Sequence, residues 1–333
     1  CFLMTIPMAL KRPKNLNMFA KEGFVIVALS WIVVSLLGAL PFVLSGAIPN
    51  YIDAVFETAS GFTTTGASIL TDVEALPKCV LFWRSFTHWI GGMGVIVFLV
   101  AILSLSGGND FYLVKAESPG HSVSKLVPKV RTTATILYSI YMGMTIVEIV
   151  LLLFGGLDVF SALTLSFGTA GTGGFAILNS GLAGYSSYTQ VVITVFMILF
   201  GIDFSFYYLI LMRKWKDTFK MEEVRAYLIV IFSATALITL SIMGQYTSVG
   251  ESIKHSAFQV ATAITTTGYS TTDFNLWPQF AKTILVLLMF SGACSGSTGG
   301  GIKVSRFLIL FKSVIKEIRV LSHPKSAIKV RLN

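Results

Sequence analysis

The sequence contains few charged residues and few of the side chains that enzymes and metal sites use. Only 12% of its 333 residues are charged, whereas a soluble globular protein carries roughly 25%. Three Cys and four His are scattered without the spacing of a disulfide framework or a zinc site. No Ser/His/Asp, Cys/His or paired-carboxylate arrangement supports catalysis. These absences argue against a soluble domain, a disulfide-rich protein and an enzyme.

The chain has long apolar runs instead. Hydrophobic residues make up 54% of it, and the mean hydropathy is +0.77. Crossing about 30 Å of hydrocarbon at about 1.5 Å per residue takes roughly 20 mostly apolar residues. Six runs meet that length, at 23–46, 80–105, 133–156, 189–212, 225–244 and 279–312. The sequence therefore predicts an all-α integral membrane protein.

Positive charge is concentrated in alternate connections between the predicted spans. Of the 25 Lys and Arg residues, 21 lie in the segment up to Lys21, the connections 105–131 and 212–226, and the tail from Lys303. Because Lys and Arg accumulate on the cytoplasmic side of a membrane, these segments are predicted to be cytoplasmic and the other connections to face outward. This topology also explains the net charge of +9, so a nucleic-acid partner is not needed to account for it.

The three outward connections share one pattern. They align without gaps as AVFETASGFTTTGAS, SALTLSFGTAGTGGF and SAFQVATAITTTGYS, which places Gly66, Gly173 and Gly268 at one position. Each begins as a short helix of about ten residues, which reaches only about halfway through the hydrocarbon, and then breaks into Thr and Gly. Irregular backbone at membrane depth must line water or be buried in protein. The pattern predicts three span, re-entrant loop, span units around a central pore.

The residues after each short helix suit a cation-selective constriction. A helix that enters from outside points its partially negative C-terminal end at the bilayer centre. Small residues beyond it let backbone carbonyls replace the hydration shell of an ion, without a ring of carboxylates. An extracellular turn explains one such segment, but not three in equivalent places. The predicted ion-binding filter consists of Thr64, Thr65, Gly66, Gly171, Thr172, Gly173, Thr266, Thr267 and Gly268.

Five stretches of the chain resemble the TrkH/TrkG/KtrB/HKT superfamily of potassium transporters, and most of all its TrkH-type membrane subunits. They are SGFTTTGAS, FWRSFTHWIGGMGVIVF, YLVKAESPG, ITTTGYSTTDFN and GACSGSTGGGIKVSR. The resemblance implies four units around one pore, potassium uptake across the bacterial inner membrane, a homodimer, and control by a cytosolic TrkA-type ring that binds nucleotides. It implies no cofactor in this chain, with K⁺ as the transported ion and the only metal at the filter. Family members with Gly at every filter position tend to prefer K⁺, and those with Ser at the first tend toward Na⁺.

The chain departs from that family in its number of units. We divide it into a cytoplasmic segment 1–21, three units at 22–105, 106–212 and 213–320, and a basic cytoplasmic tail 321–333. Only three of the expected four units are visible. We therefore expect the chain to be a piece of a longer transporter, whose fourth filter strand comes from residues outside this sequence.

A glycine-rich stretch interrupts the last apolar run. Five glycines within 292–301 break a helix, since each costs about 1 kcal/mol relative to Ala. The stretch lacks the Gly-Lys-Ser/Thr ending of a nucleotide-binding loop. By the resemblance it is an intramembrane loop that obstructs the pore beneath the filter until the regulatory ring moves it. The predicted gate consists of Gly296, Ser297, Thr298, Gly299, Gly300 and Gly301.

Charged residues inside the spans are candidate cavity or structural groups. An acid at the centre of a span costs about 2.5 to 3.5 kcal/mol, so it should face protein or water. Asp203 is predicted to place a negative charge below the filter, and Glu148 to be paired within the bundle. Arg84 is either an anchor at the membrane interface or a brace paired with Glu57. Lys303, which follows the predicted gate, is a further candidate for a cavity or structural charge beside Asp203, Arg84 and Glu57.

Two other functions compete with a potassium channel. A secondary carrier would couple K⁺ to Na⁺ or H⁺, with Asp203 as the coupling group. A fragment without its own pore would have a role in assembly only. Flux that depends on a second ion gradient would indicate the carrier, and the absence of flux would indicate the fragment.

Overall fold

The computed structural model describes residues 20–94 and 130–322. Within these ranges it contains α-helices, one short 3-10 helix at Phe274–Leu276 and no strand, so the predicted all-α fold is confirmed. The helices α1 to α13 are, in order, Ala20–Gly38, Leu40–Leu44, Tyr51–Phe62, Lys78–Gly92, Val130–Phe154, Val159–Ala170, Ser187–Phe200, Phe204–Leu211, Trp215–Thr218, Glu222–Ile242, Val249–Ile264, Gln279–Ser291 and Val304–Ser322. Most of the predicted segments 1–21 and 321–333 lies outside the described residues, as does the end of the predicted span 80–105.

Three stretches have the length and hydropathy to cross a membrane by themselves. They are Gly23–Leu44, which joins α1 and α2, Ala134–Phe154 in α5, and Glu222–Ile242, which is α10. Between 22% and 33% of the residues in these stretches are buried in protein. Much of their apolar surface therefore points outward, as a lipid environment requires.

The predicted span 189–212 is wrong as a single continuous helix. It consists of α7 and α8, which meet at an angle of 89°. The Asp203 carboxylate caps α8 by accepting a hydrogen bond from the Ser205 N–H at 2.8 Å. A side-chain cap of this kind satisfies a backbone donor that a new helix start leaves unpaired.

Two further backbone groups at this bend bind the glycine-rich stretch. The N–H of Cys294 donates to the carbonyl of Gly201 at 3.0 Å, and the N–H of Phe204 donates to the carbonyl of Gly296 at 3.1 Å. The bend is therefore stabilised by a segment about ninety residues away in sequence. The local apolar pattern, which is continuous across the bend, could not predict it.

The three predicted short helices are found as α3, α6 and α11. They contain 12, 12 and 16 residues, which corresponds to about 18 to 24 Å and is too short to cross the hydrocarbon. Each begins at a polar capping residue, namely Asn50, Asp158 or Ser248. Each packs against the long helix before it and the helix after it.

The main hydrophobic core lies between these short helices. It is rich in aromatic side chains, among them Trp89, Tyr141, Phe167, Phe200 and Phe258. Contacts between α4 and α6, and between α7 and α11, join each short-helix region to the next. The core includes residues of α6 and α11 and therefore fixes these two short helices relative to each other.

The predicted interruption of the last span is confirmed. α12 ends at Ser291 and α13 begins at Val304, with the glycine-rich stretch between them. We refer to residues 292–305, which include the first two residues of α13, as the intramembrane loop, after its predicted position.

We predict that Gly201→Ala destabilises the bend between α7 and α8. A Cβ at Gly201 would overlap the Tyr227 hydroxyl and lie 3.0 Å from a methyl group of Thr265. Overpacking of this kind costs about 1–3 kcal/mol, to be measured as the free energy of unfolding in a detergent titration. Adding Tyr227→Phe should restore part of the loss.

Gly143→Ala is the matched control, because a Cβ there meets no atom within 4 Å. It should leave stability unchanged or raise it by up to about 1 kcal/mol, since Ala favours helix over Gly. Equal effects of the two alanines would contradict the prediction.

Candidate functional site

Each short helix ends in the same backbone turn. The second residue after the helix has a left-handed φ at Thr64 (53°), Thr172 (52°) and Thr266 (58°). This conformation is rare for a β-branched residue, so its recurrence marks a turn that the surrounding structure enforces. Two residues further on, a glycine has a φ of 75°, 78° or 88° in the three turns. These glycines are Gly66, Gly174 and Gly268.

The backbone angles correct the predicted alignment of the second segment by one residue. Gly174, and not Gly173, is the structural equivalent of Gly66 and Gly268. Hydrogen bonding agrees, since the residue before this glycine donates its N–H to the carbonyl five residues back in all three turns. The gap-free alignment was wrong because two adjacent glycines follow Thr172, and spacing alone cannot choose between them.

The same shift moves the predicted filter residue Gly171. It is the capping residue of α6, at the position that Thr63 occupies after α3 and Thr265 after α11. The three turns are therefore Thr64 to Gly66, Thr172 to Gly174 and Thr266 to Gly268. We refer to them as the first, second and third filter turns.

The three filter turns contact one another. A Cβ on Gly66 would overlap the carbonyl of Gly173, and a Cβ on Gly174 would overlap the carbonyl of Thr267. The first turn thus touches the second, and the second touches the third. A cavity of about 410 Å³ lies against Gly174 and Gly268 and is also lined by Asn179, Tyr269 and Asp273. Segments that are 108 and 94 residues apart in sequence are thus in contact, and the second and third turns line this cavity.

His88 fills a space in the second turn that threonines fill in the other two. The hydroxyls of Thr63 and Thr65 lie 2.8 Å apart, and an equivalent pair of Thr hydroxyls lies 2.8 Å apart in the third turn. The second turn has glycines at both places, and a Cβ on Gly173 would overlap the imidazole of His88. The ring stacks on Phe175 with 3.9 Å between centroids. The sequence signal for the role of His88 is the absence of these threonines from the second segment, which the spacing of metal ligands does not reveal.

The predicted pairing of Arg84 with Glu57 is confirmed. Arg84 Nε lies 2.6 Å from Glu57 Oε1, with the two side chains 4% and 0% exposed. Arg84 Nη1 donates to the carbonyl of Ala176 at 3.0 Å, and the guanidinium lies 3.5 Å from the ring centroid of Phe175. Glu57 also accepts hydrogen bonds from the Ser68 hydroxyl at 2.9 Å and from a backbone N–H at 3.1 Å. The ion pair therefore joins α3 to the chain that follows the second filter turn.

The intramembrane loop lies against the start of two filter turns. The Thr172 hydroxyl donates to the carbonyl of Thr298 at 3.0 Å. The N–H of Gly300 donates to the Thr266 hydroxyl at 2.8 Å. These two threonines are the left-handed residues at the helix ends, so the loop is fixed to the start of the second and third turns. The predicted gate residues, Gly296 to Gly301, include both contact points.

One predicted charged group binds this loop and a second lies beside it. The Lys303 ammonium donates to the carbonyl of Gly299 within the loop and is buried. Asp203 is buried as well, and a Cβ on Gly296 would lie 2.7 Å from its carboxylate. Both charges therefore have local backbone partners beside the loop.

Glu148 differs from the other buried charges. It is fully buried in α5 beside Thr169 of α6, and no Lys or Arg of the described residues forms an ion pair with it. The prediction that Glu148 is paired within the bundle is thus not met by an ion pair in that part of the chain. Across the same ranges, His, Cys, Asp and Glu side chains form no group of three that could hold a metal ion.

The short helices, their contacting turns and the interrupted spans define an all-helical membrane protein of the cation-transporter class. The chain belongs to the TrkH family, whose sequence model, described as a cation transport protein, matches residues 2–332. This is a family of transporters and not of enzymes.

Curated relatives and a solved structure agree with this assignment. The Trk system potassium uptake protein TrkH of Escherichia coli (strain K12) is 37% identical over 320 residues, which cover 94% of this chain and 66% of the relative. The protein of that name from Halomonas elongata is 34% identical over 336 residues, which cover 99% and 69%. The crystal structure of the potassium transporter TrkH from Vibrio parahaemolyticus matches with a TM-score of 0.84 at 30% identity, over 100% of this chain and 69% of that one. The chain thus spans about two thirds of the length of these relatives.

We predict that Arg84→Ala strongly destabilises the protein. Removing one partner of a buried ion pair leaves the other charge uncompensated, which costs about 3–5 kcal/mol. The loss is measured as the free energy of unfolding in detergent. The double variant Arg84→Ala, Glu57→Gln should lose less than the sum of the two single variants.

The half-buried cation Lys282, which donates to the carbonyl of Asn275 and forms no ion pair among the described residues, provides the control. Lys282→Ala should change stability by less than about 0.5 kcal/mol. Additive effects of the Arg84 and Glu57 variants would show that the two side chains do not act as a pair.

Proposed function

We propose that this chain forms part of a potassium uptake pathway across the plasma membrane, in which dehydrated K⁺ passes inward through a carbonyl-lined constriction. The observation that carries the proposal is the contact between three filter turns of the same backbone conformation. The relatives named as potassium uptake proteins support the choice of ion.

The chemistry of the turns fits a cation without a carboxylate ring. Three short helices direct the partially negative ends of their dipoles toward the turns. Backbone carbonyls in the turns are close enough to a neighbouring turn that only glycine fits at Gly66 and Gly174. Carbonyl oxygens at such density replace the hydration shell of a monovalent ion.

The intramembrane loop acts as the gate in this proposal. Its hydrogen bonds to Thr172 and Thr266 hold it against the inner side of the filter turns. A cytosolic TrkA-type ring that binds nucleotides moves the loop, and the complete transporter is a homodimer in the bacterial inner membrane with its basic connections in the cytoplasm. Family membership supports these assignments.

A secondary carrier is the second candidate. Asp203 is a buried carboxylate beside Gly296 of the loop, where a coupling group would respond to loop movement. Flux that saturates at a low rate and requires a Na⁺ or H⁺ gradient would favour the carrier, and flux driven by K⁺ alone favours the channel. A complete gene product that carries no K⁺ in liposomes would contradict both.

We predict that deleting Thr298 to Gly300 raises K⁺ flux through the complete gene product by about tenfold. Such a rise corresponds to about 1.4 kcal/mol in favour of the open state. The deletion removes both contacts of the loop with Thr172 and Thr266, but it leaves the filter turns intact. The ratio of K⁺ to Na⁺ flux in liposomes should therefore stay unchanged. Unchanged or lower flux in a folded variant would count against the gate.

We predict that Gly174→Ala lowers K⁺ over Na⁺ selectivity by about tenfold, or about 1.4 kcal/mol. The added methyl group would overlap the Thr267 carbonyl, and the φ of 78° is unfavourable for Ala. Selectivity is measured from the competition of Na⁺ with ⁸⁶Rb⁺ uptake.

Gly184→Ala is the control for this experiment. A Cβ there meets its nearest neighbour at 3.7 Å, and the residue lies outside the filter turns. Selectivity equal to that of the unmodified protein in both variants would exclude the second turn from the filter.

A further inference from the structure

Glu223 binds both ends of the intramembrane loop through one carboxylate oxygen. Glu223 Oε1 accepts a hydrogen bond from the Ser295 N–H at 2.6 Å and another from the Ser305 N–H at 3.0 Å. Hydrogen bonds from backbone N–H groups to an ionised carboxylate are stronger than those between neutral groups. A single side chain thus holds two points that are ten residues apart in sequence.

The two ends of the loop also touch each other at this place. The hydroxyls of Ser295 and Ser305 are hydrogen-bonded. Between them the chain leaves helical geometry, with left-handed φ values at Gly296 and Gly301. The loop is therefore closed at its base, and Glu223 lies at that closure.

Glu223 belongs to an element that is separate from the loop. It lies in the first turn of α10, within the segment 212–226 that carries five of the basic residues. The adjacent Glu222 forms an ion pair with Lys312 of α13. Two neighbouring carboxylates of one helical turn thus hold the loop and the helix that follows it.

The opposite side of the loop is held by weaker, neutral groups. Thr172 and Thr266 bind it through hydroxyls, whereas Glu223 supplies a charge-assisted acceptor to both of its ends. A displacement of the first turn of α10 would release the base of the loop while the filter turns stayed in place.

We propose that Glu223 is a positioning residue of the gate, whose carboxylate keeps the base of the intramembrane loop closed and couples the loop to the first turn of α10. This inference rests on the proposed function of the loop. Loss of the acceptor should shift the loop toward the open state without altering the filter.

The test compares three variants of the complete gene product in liposomes. Glu223→Ala removes the acceptor and should raise ⁸⁶Rb⁺ flux by about tenfold, which is a shift of about 1.4 kcal/mol. Glu223→Gln keeps a carbonyl oxygen that can accept both N–H groups, so its flux should stay within about threefold of the unmodified protein. Glu222→Gln weakens the pairing with Lys312 but leaves the hydrogen bonds of Glu223 to the loop in place, so it should leave flux unchanged.

A second readout does not depend on transport. In a background without other cysteines, Ser297→Cys is exposed to a membrane-impermeant maleimide from the cytosolic side. Labelling should be about tenfold faster when Glu223→Ala is also present, and the K⁺ over Na⁺ ratio should not change.

The outcomes separate this inference from the function on which it rests. Flux and labelling that stay at the unmodified level in a folded Glu223→Ala variant would overturn the role of Glu223, as would an equal increase in Glu222→Gln. If the unmodified protein carries no K⁺, the proposed function fails. The difference in labelling rate would still decide whether Glu223 holds the loop.

Discussion

The cost of unpaired backbone groups at membrane depth is the constraint on which this structure depends. A lipid-facing helix pairs its own N–H and C=O groups, but a turn cannot do so. Each irregular segment described here is therefore satisfied by another irregular segment. The bend at Gly201 binds the intramembrane loop, the loop binds the filter turns, and the filter turns contact each other.

Buried charges serve the same constraint. Arg84 and Glu57 bind backbone groups near two of the turns as well as each other. Asp203 caps the helix after the bend, Lys303 binds a loop carbonyl, and Glu223 binds two loop N–H groups. A charge in a span is expensive, and in these cases it secures backbone that has left regular helix. This arrangement explains why a chain with so few charged residues places several of them at the centre of the fold.

The second filter turn could be predicted only in part from the sequence. The Thr and Gly pattern located all three turns, and the helical pattern before each of them correctly predicted the short helices. The choice between Gly173 and Gly174 required backbone angles, because adjacent glycines satisfy the same spacing. The role of His88 could not be predicted for a related reason, because the space that its ring fills lies beside Gly173, 85 residues away in sequence.

The sequence by itself determined the membrane class, the short helices and the break in the last span, because hydrophobic length and glycine content are local properties. Tertiary structure decided the bend between α7 and α8, the register of the second turn, the choice of Glu57 as the partner of Arg84 and the contacts of the loop with the filter turns. Each of these depends on a hydrogen bond or a close approach between distant segments, and no local pattern records which distant group will satisfy an unpaired backbone atom.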